Sequence, residues 1–171
     1  SFTVAVELFA NGGFETAGAT TPAEAWLAAA SGYTLSNQGR TGSSAAQLSS
    51  PQFSAAVMLQ NSVEQGNRPP LTVGTSPTLT FWAKGFAGTT GNVLFAIRYL
   101  DGTGNIKANS QNQFFQGLIN PNTWTKITFN LGPVPAGSLA AFIEFSQAIG
   151  PIDPANGMLA GTVLIDDVSL Q

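Results

Sequence analysis

Three acids stand where a metal ion could use them. Glu15 closes the segment Asn11-Gly12-Gly13-Phe14-Glu15, and Asp166 and Asp167 lie side by side in Ile165-Asp166-Asp167-Val168-Ser169-Leu170 at the other end of the chain. They are three of only nine acids in 171 residues. Neighbours on a strand face opposite sides, so one of Asp166 and Asp167 is expected to point inward, where a bare carboxylate is costly unless paired or bound to a cation. Calcium, with roughly six to eight oxygen ligands drawn from carboxylates and backbone carbonyls, satisfies such a group. Hydrogen bonds from a hydroxyl or a backbone turn satisfy it without a metal, and the residues alone leave both readings open.

A second set has the chemistry to grip a hydroxyl-bearing ligand. Aromatic faces pack on the C–H surfaces of sugars while amides, carboxylates and guanidinium groups meet the hydroxyls. Trp82, Arg98 and Glu144 each fall on the less apolar face of a strand, and Gln111-Asn112-Gln113-Phe114-Phe115-Gln116 is rich in amides, with Gln111 and Gln113 sharing a face. Each has a plainer reading beside it. Arg98 and Glu144 form a surface ion pair worth about 0–1 kcal/mol, the glutamines decorate a solvated edge strand, and the early Pro/Ala-rich segment covers Trp82.

Composition removes whole classes of chemistry. Without His or Cys there is no Ser-His-Asp or Cys-His nucleophile, no ordinary N/S zinc site and no disulfide. Six Lys/Arg, scattered singly, make no basic stripe for phosphates, so nucleic acid is not the expected partner. No apolar run approaches the ~18 residues of a spanning helix, and no basic-then-apolar leader precedes Ser1, so a mature, soluble chain or an excised module is expected. A glycosidase needs two facing carboxylates, yet outside the terminal trio only Glu144 sits in mid-strand. A surface of Thr, Asn, Ser, Gln and Gly with little charge suits an extracellular bacterial domain.

The elements that must position these residues read as strands. Runs rich in Val, Ile, Phe, Thr and Leu recur at Thr3–Phe9, Tyr33–Ser36, Ala45–Leu48, Ala55–Gln60, Thr78–Lys84, Asn92–Tyr99, Gln111–Leu118, Thr123–Asn130, Ser138–Ser146 and Gly161–Leu170, bounded by Gly, Pro, Asn and Ser. Without βαβ spacing they predict one all-β domain over residues 1–171, a two-sheet antiparallel β-sandwich. Alternation gives Leu79/Phe81/Ala83, Val93/Phe95/Ile97/Tyr99 and Leu139/Ala141/Ile143/Phe145 to the core. At most one short helix is expected, opening at Thr21-Pro22-Ala23-Glu24 and ending before Gly32. The loops Gln65–Pro77 and Ile149–Gly161 carry no readable period.

Five motifs, taken in order, carry a resemblance. They are Asn-Gly-Gly-Phe-Glu at Asn11–Glu15, the following Trp26, Thr-Leu-Thr-Phe-Trp-Ala-Lys at Thr78–Lys84, Asn-Thr-Trp-Thr-Lys-Ile-Thr at Asn122–Thr128 and the terminal Ile-Asp-Asp-Val-Ser-Leu. In this order they resemble the carbohydrate-binding module families 4, 9, 16 and 22 across nearly the whole chain. The resemblance implies a β-jelly-roll, a structural calcium joining the first and last strands, and a sugar-binding groove on one sheet. Carried over, the motif glutamate is Glu15 and the first terminal aspartate is Asp166, with Asp167 as second choice. It also matches Trp26 to an aromatic in the loop after the opening motif that touches ligand, and it puts binding residues on the strands after Trp82. The expectation is a non-catalytic, monomeric module that binds a polysaccharide or oligosaccharide, with neither nucleic acid nor membrane as partner, within a larger secreted polysaccharide-degrading enzyme. The competing expectation is a structural or adhesive jelly-roll of a surface or particle-coat protein.

Overall fold

The computed structural model describes residues 6–50, 56–61, 71–86, 92–108, 111–147, 152–153, 157–158 and 161–171. Thr3–Ala5 of the expected first strand, Ala55, residues 65–70, and 149–151, 154–156 and 159–160 lie outside them. Twelve strands follow in chain order: β1 (Leu27–Ala28), β2 (Tyr33–Ser36), β3 (Ala45–Ser50), β4 (Ala56–Asn61), β5 (Thr78–Gly85), β6 (Val93–Leu100), β7 (Gln111–Phe114), β8 (Thr125–Asn130), β9 (Ala140–Gln147), β10 (Ile152–Asp153), β11 (Gly157–Met158) and β12 (Gly161–Leu170). One five-stranded sheet runs β1-β4-β9-β6-β7 and the other β2-β3-β12-β5-β8, while β10 and β11 pair apart from both. All these pairings are antiparallel. The edges are short: two residues in β1 and four in β2 and β7, with six in β8.

Period two explains the core. Leu79, Phe81 and Ala83, Val93, Phe95, Ile97 and Tyr99, and Ala141, Ile143 and Phe145 are all fully buried between the sheets, as alternation requires. Leu139 departs from the pattern: it precedes β9 and is 49% exposed. Phe81 stands at the centre, with ring centroids 5.0 Å from Phe115 and Phe145 and 6.2 Å from Phe95, all edge-on. Each such pair contributes about 0.5–1.5 kcal/mol beyond its buried area.

The opening segment is fastened by side chains and separate backbone bonds rather than by a continuous ladder. The buried Gln60 amide donates to Ala10 O at 2.9 Å and accepts from Ala10 N at 2.6 Å, taking the place of a strand partner. Glu7 accepts from Leu170 N at 2.9 Å, and Leu8 N donates to Leu170 O at 3.0 Å. Gly12 O accepts from Val168 N at 2.9 Å. A Cβ on Gly12 would lie 2.0 Å from Val168 O, so only glycine permits this approach of the first segment to the last strand.

The expected helix does not form. Residues 17–30 make turns and bridges, Ala17 with Ala23 and Ala23 with Trp26, before β1 pairs with β4. Thr21 Oγ1 donates to Ala23 O instead of capping a helix, and the Asn11 side-chain amide holds Thr16 O and Glu24 O at 2.8 and 3.0 Å. These bonds outweigh the weak helix preference of a short Ala tract. The one helical element among the described residues is a single 3-10 turn at Gln116–Leu118, within the stretch expected to extend β7.

Candidate functional site

Arg98 and Glu144 meet on the outer face of the β1-β4-β9-β6-β7 sheet. Arg98 lies opposite Phe142 and Glu144 opposite Ala96, so the two are diagonal neighbours on adjacent central strands, within reach of long side chains. Arg98 Nη1 donates to Glu144 Oε2 at 3.4 Å, and Arg98 Cζ stands 5.8 Å from the Phe142 ring centroid. Ser146 Oγ donates to Glu144 Oε1 at 3.0 Å. The pair keeps 29% and 24% of its side-chain surface exposed, so a ligand can compete for it.

Register defines the rows around this pair. Leu27, Leu59, Glu144, Ala96 and Asn112 lie in one row across five strands, and Val57, Ser146, Leu94 and Phe114 in the next. At ~4.8 Å per strand the first row spans about 19 Å. Past Leu27, at the sheet edge, a shallow cleft of about 420 Å³ opens between Ala17, Gly18, Thr20, Thr21 and Glu24. Ala25 also lines it, with φ +70°, a strained turn for a residue with a side chain.

The remaining expected ligand residues are dispersed. Trp26 does lie in the segment after the opening motif, before β1, but it is fully buried: its ring packs 5.1 Å from Phe14 and 6.2 Å from Phe9 and Phe145, and Nε1 donates to Asn11 O at 3.1 Å. The tight turn at Ala25 in place of a helix directs it inward. Gln111 and Gln113 pair with Ile97 and Phe95, residues of the core-facing side, and so lie on the opposite face of the sheet from Arg98 and Glu144. Asn112 and Phe114 occupy the outer face instead. Trp82 is on the other sheet altogether, its ring covered by the Arg40 guanidinium at 3.6 Å. Phe142, Leu59, Leu94, Ser146 and Asn112 were not singled out from sequence, although alternation already placed Phe142 and Ser146 beside Glu144.

The terminal acids gather at a corner on the outside of the second sheet. A bulge between Asp166 and Ser169, with Asp167 at φ +50°, interrupts the β12–β5 register. Asp166 faces outward by register and the bulge turns Asp167 to the same loop before β3, so neither points into the core, where alternation predicted one of them. Asp166 lies opposite Trp82 on the outer face and is buried beneath that loop. It accepts from Arg40 N and Asp167 N, each at 2.7 Å, and from Thr41 N at 3.4 Å. Asp167 pairs with Arg40 Nη1 at 2.7 Å and accepts from Thr41 Oγ1. Glu15 accepts from Ser44 N at 2.8 Å and Ser43 N at 3.1 Å, and these bonds hold its carboxyl below the usual range. Gly42, at φ +71°, leaves room for it: a Cβ there would come within 2.5 Å of Glu15 Oε1.

The corner concentrates carboxylate oxygens. Burial pushes the Asp166 carboxyl up to about 6, and the like charge of Asp167 adds to the effect. A Cβ on Gly13 would lie 3.7 Å from Asp167 Oδ1 and 3.9 Å from Asp166 Oδ1, so both carboxylates border one spot that carries no side chain. Glu15, Asp166 and Asp167 lie around this corner, and Arg40 pairs with Asp167 there. Among the described residues no three acidic, His or Cys side chains are arranged to hold a metal by themselves, so backbone carbonyls would have to complete its shell.

No family model and no curated protein matches the sequence. Solved structures do match in shape. Tailspike protein 4 of bacteriophage CBA120, in its enzymatically active domain, shares 24% identity over 96% of this chain and 21% of that one, with a TM-score of 0.70. This chain thus spans about a fifth of the tailspike chain. The module TmCBM61 in complex with β-1,4-galactotriose shares 17% identity over 98% of this chain and 99% of that one, at a TM-score of 0.58. The xylan-binding CBM22-1 domain of Paenibacillus barcinonensis Xyn10C shares 11% over 100% and 97%, at 0.63. The chain has the two-sheet β-sandwich fold of the carbohydrate-binding modules.

Proposed function

We propose that this chain is a non-catalytic carbohydrate-binding domain that takes a polysaccharide across the outer face of β1-β4-β9-β6-β7, as part of a longer, secreted polysaccharide-acting protein. The observation that carries this reading is the Arg98–Glu144 pair, part-exposed at the centre of a five-strand face, held from below by the buried Ser146 hydroxyl and flanked by Phe142 and Asn112. Such a pair offers both donors and acceptors to sugar hydroxyls. Two modules of the same fold carry galactotriose or are named for xylan binding, which supports a glycan as the ligand class. Held to its glycan, the domain raises the effective concentration of an attached enzyme at the substrate.

Binding fits these residues better than cleavage. Hydrolysis needs two carboxylates about 5–9.5 Å apart. Among the described strand residues of this face Glu144 is the one acid, and Arg98 engages it. A lyase would want a basic residue such as Tyr99, but that hydroxyl is buried in the core, where desolvation pushes it up to about 12. Calorimetry against β-glucan, mannan, xylan, galactan and chitin oligosaccharides, with calcium present, tests the reading. Heat is expected for at least one of them, and none above background overturns it.

A structural calcium at the Glu15, Asp166 and Asp167 corner belongs to the same proposal. It would fasten the opening segment to the last strand. EDTA is expected to lower the Tm of the wild type, and superimposable melting curves with and without chelator would remove the metal from the account. The competing structural or adhesive role draws on Leu27, Phe114, Leu118 and Leu139, exposed large apolar residues in or beside the same sheet. Sedimentation velocity separates the two, since a role in assembly requires a concentration-dependent complex without glycan.

A further inference from the structure

The outer face around Arg98 and Glu144 is floored by aliphatic side chains where stacking on a bare pyranose ring would call for Trp or Tyr. Val57 and Leu59 on β4 and Leu94 and Leu100 on β6 point outward and are half-buried, while Ala96 and Ala140 fill the spaces between. The aromatics of this face are Phe142 on β9 and Phe114 at the far edge. The charged strand residues described on it are Arg98 and Glu144, joined to each other, so the face presents no unbalanced charge. A highly hydroxylated, unsubstituted chain would leave Leu and Val against polar groups, and an acidic chain would find its arginine engaged.

Resting on the carbohydrate-binding reading, we propose that the glycan taken here is neutral and bears methyl-terminated substituents, of the O-acetyl or 6-deoxy kind. Their methyl groups would seat on the aliphatic floor flanking the ion pair. Register places Val57 and Leu94 on either side of Ser146, and Leu59 and Ala96 on either side of Glu144. Glu144, the exposed acceptor of this face, therefore has an apolar seat one strand away, about 4.8 Å off, while the buried Ser146 only steadies it. A sugar ring whose hydroxyls reach Glu144 thus lays a methyl substituent over Leu59 beside it or over Leu94 on the diagonal. Burying one such carbon is worth roughly 0.8 kcal/mol, about a fourfold change in affinity per seated methyl.

The test compares matched ligands on the intact chain by calorimetry: O-acetylated xylan against the same polymer deacetylated in alkali, and fucosylated xyloglucan oligosaccharides against defucosylated ones. At least fourfold tighter binding to the methyl-bearing member of one pair is expected, and which pair shows it tells acetyl from deoxy. Leu59→Ser and Leu94→Ser should reduce that preference toward unity while melting close to the wild type, because both side chains lie outside the core. Equal affinity for both members of each pair overturns the inference and leaves the carbohydrate reading standing. A preference that survives both substitutions overturns it too, by placing the methyl seat elsewhere. No binding to any glycan overturns inference and reading together, as does a dimer that Leu94→Ser dissociates.

Discussion

Two arginine–carboxylate pairs lie on opposite outer faces of the sandwich, and they are built differently. Arg40 meets Asp167 at 2.7 Å, stacks 3.6 Å over Trp82, and lends its backbone N–H to Asp166. Arg98 meets Glu144 at 3.4 Å and stands 5.8 Å from Phe142. Exposure does not separate them, at 31% and 27% against 29% and 24%. The difference is how many partners fix each group. Three N–H donors, a ring and a hydroxyl hold the corner, whereas the sheet-face pair has one long bond and the Ser146 hydroxyl. The first pair commits its polar atoms to the fold, and the second leaves lone pairs and donors for something else.

Substitutions that remove deeply fixed groups should lead in effect. Trp26→Ala empties a fully buried site and is expected to cost about 3–5 kcal/mol, read by chemical denaturation. The milder Trp26→Phe should leave glycan affinity unchanged, and a selective loss of binding there would restore Trp26 to the ligand surface. Asp166→Ala strands the N–H groups of Arg40, Thr41 and Asp167, a loss of about 3 kcal/mol and a Tm drop on the order of 10 °C by calorimetry.

A pH series sharpens the same contrast. The folded Asp166 carboxyl titrates near 6, above its ordinary value of 3.8, so the folded chain retains a proton that the unfolded chain has lost. Stability is therefore shed as pH rises from about 4 to 6 and levels off above. In EDTA, the Tm of wild type minus that of Asp166→Asn should fall across that window; a flat difference would mean that the N–H donors fully offset burial. Arg98→Ala should have the smallest effect on stability, within about 1 kcal/mol, while weakening glycan binding roughly tenfold. A large Tm loss with unaltered affinity would make the two pairs alike and move the ligand off this face.

Alternation made much of this legible. Tyr33–Ser36 and Gly161–Leu170 have the bounds read from sequence, and the core faces of β5 and β6 follow from period two because one side of each strand is apolar. Where both sides are polar, the same logic fails. In Gln111–Phe114 no apolar face dictates the register, so β7 set its glutamines away from Arg98 without violating any pattern. Arg40 lies in a loop, where no period exists to reveal it. The bulge at Asp167 depends on a backbone angle that no residue type at that position announces, and it turned Asp167 to the side that Asp166 already faced.

The short edges have a consequence for life at high concentration. With only 9% charged residues, the chain has few like charges to keep copies apart. An exposed strand edge is a template for lateral pairing and fibril growth, and β1, β2 and β7 stop after two to four residues, too soon to serve as one. The longest edge, β8, carries Lys126 exposed near its start, a charge that a neighbouring strand would have to bury. Whatever guard this fold has against lateral pairing lies in where its strands end more than in what coats its surface.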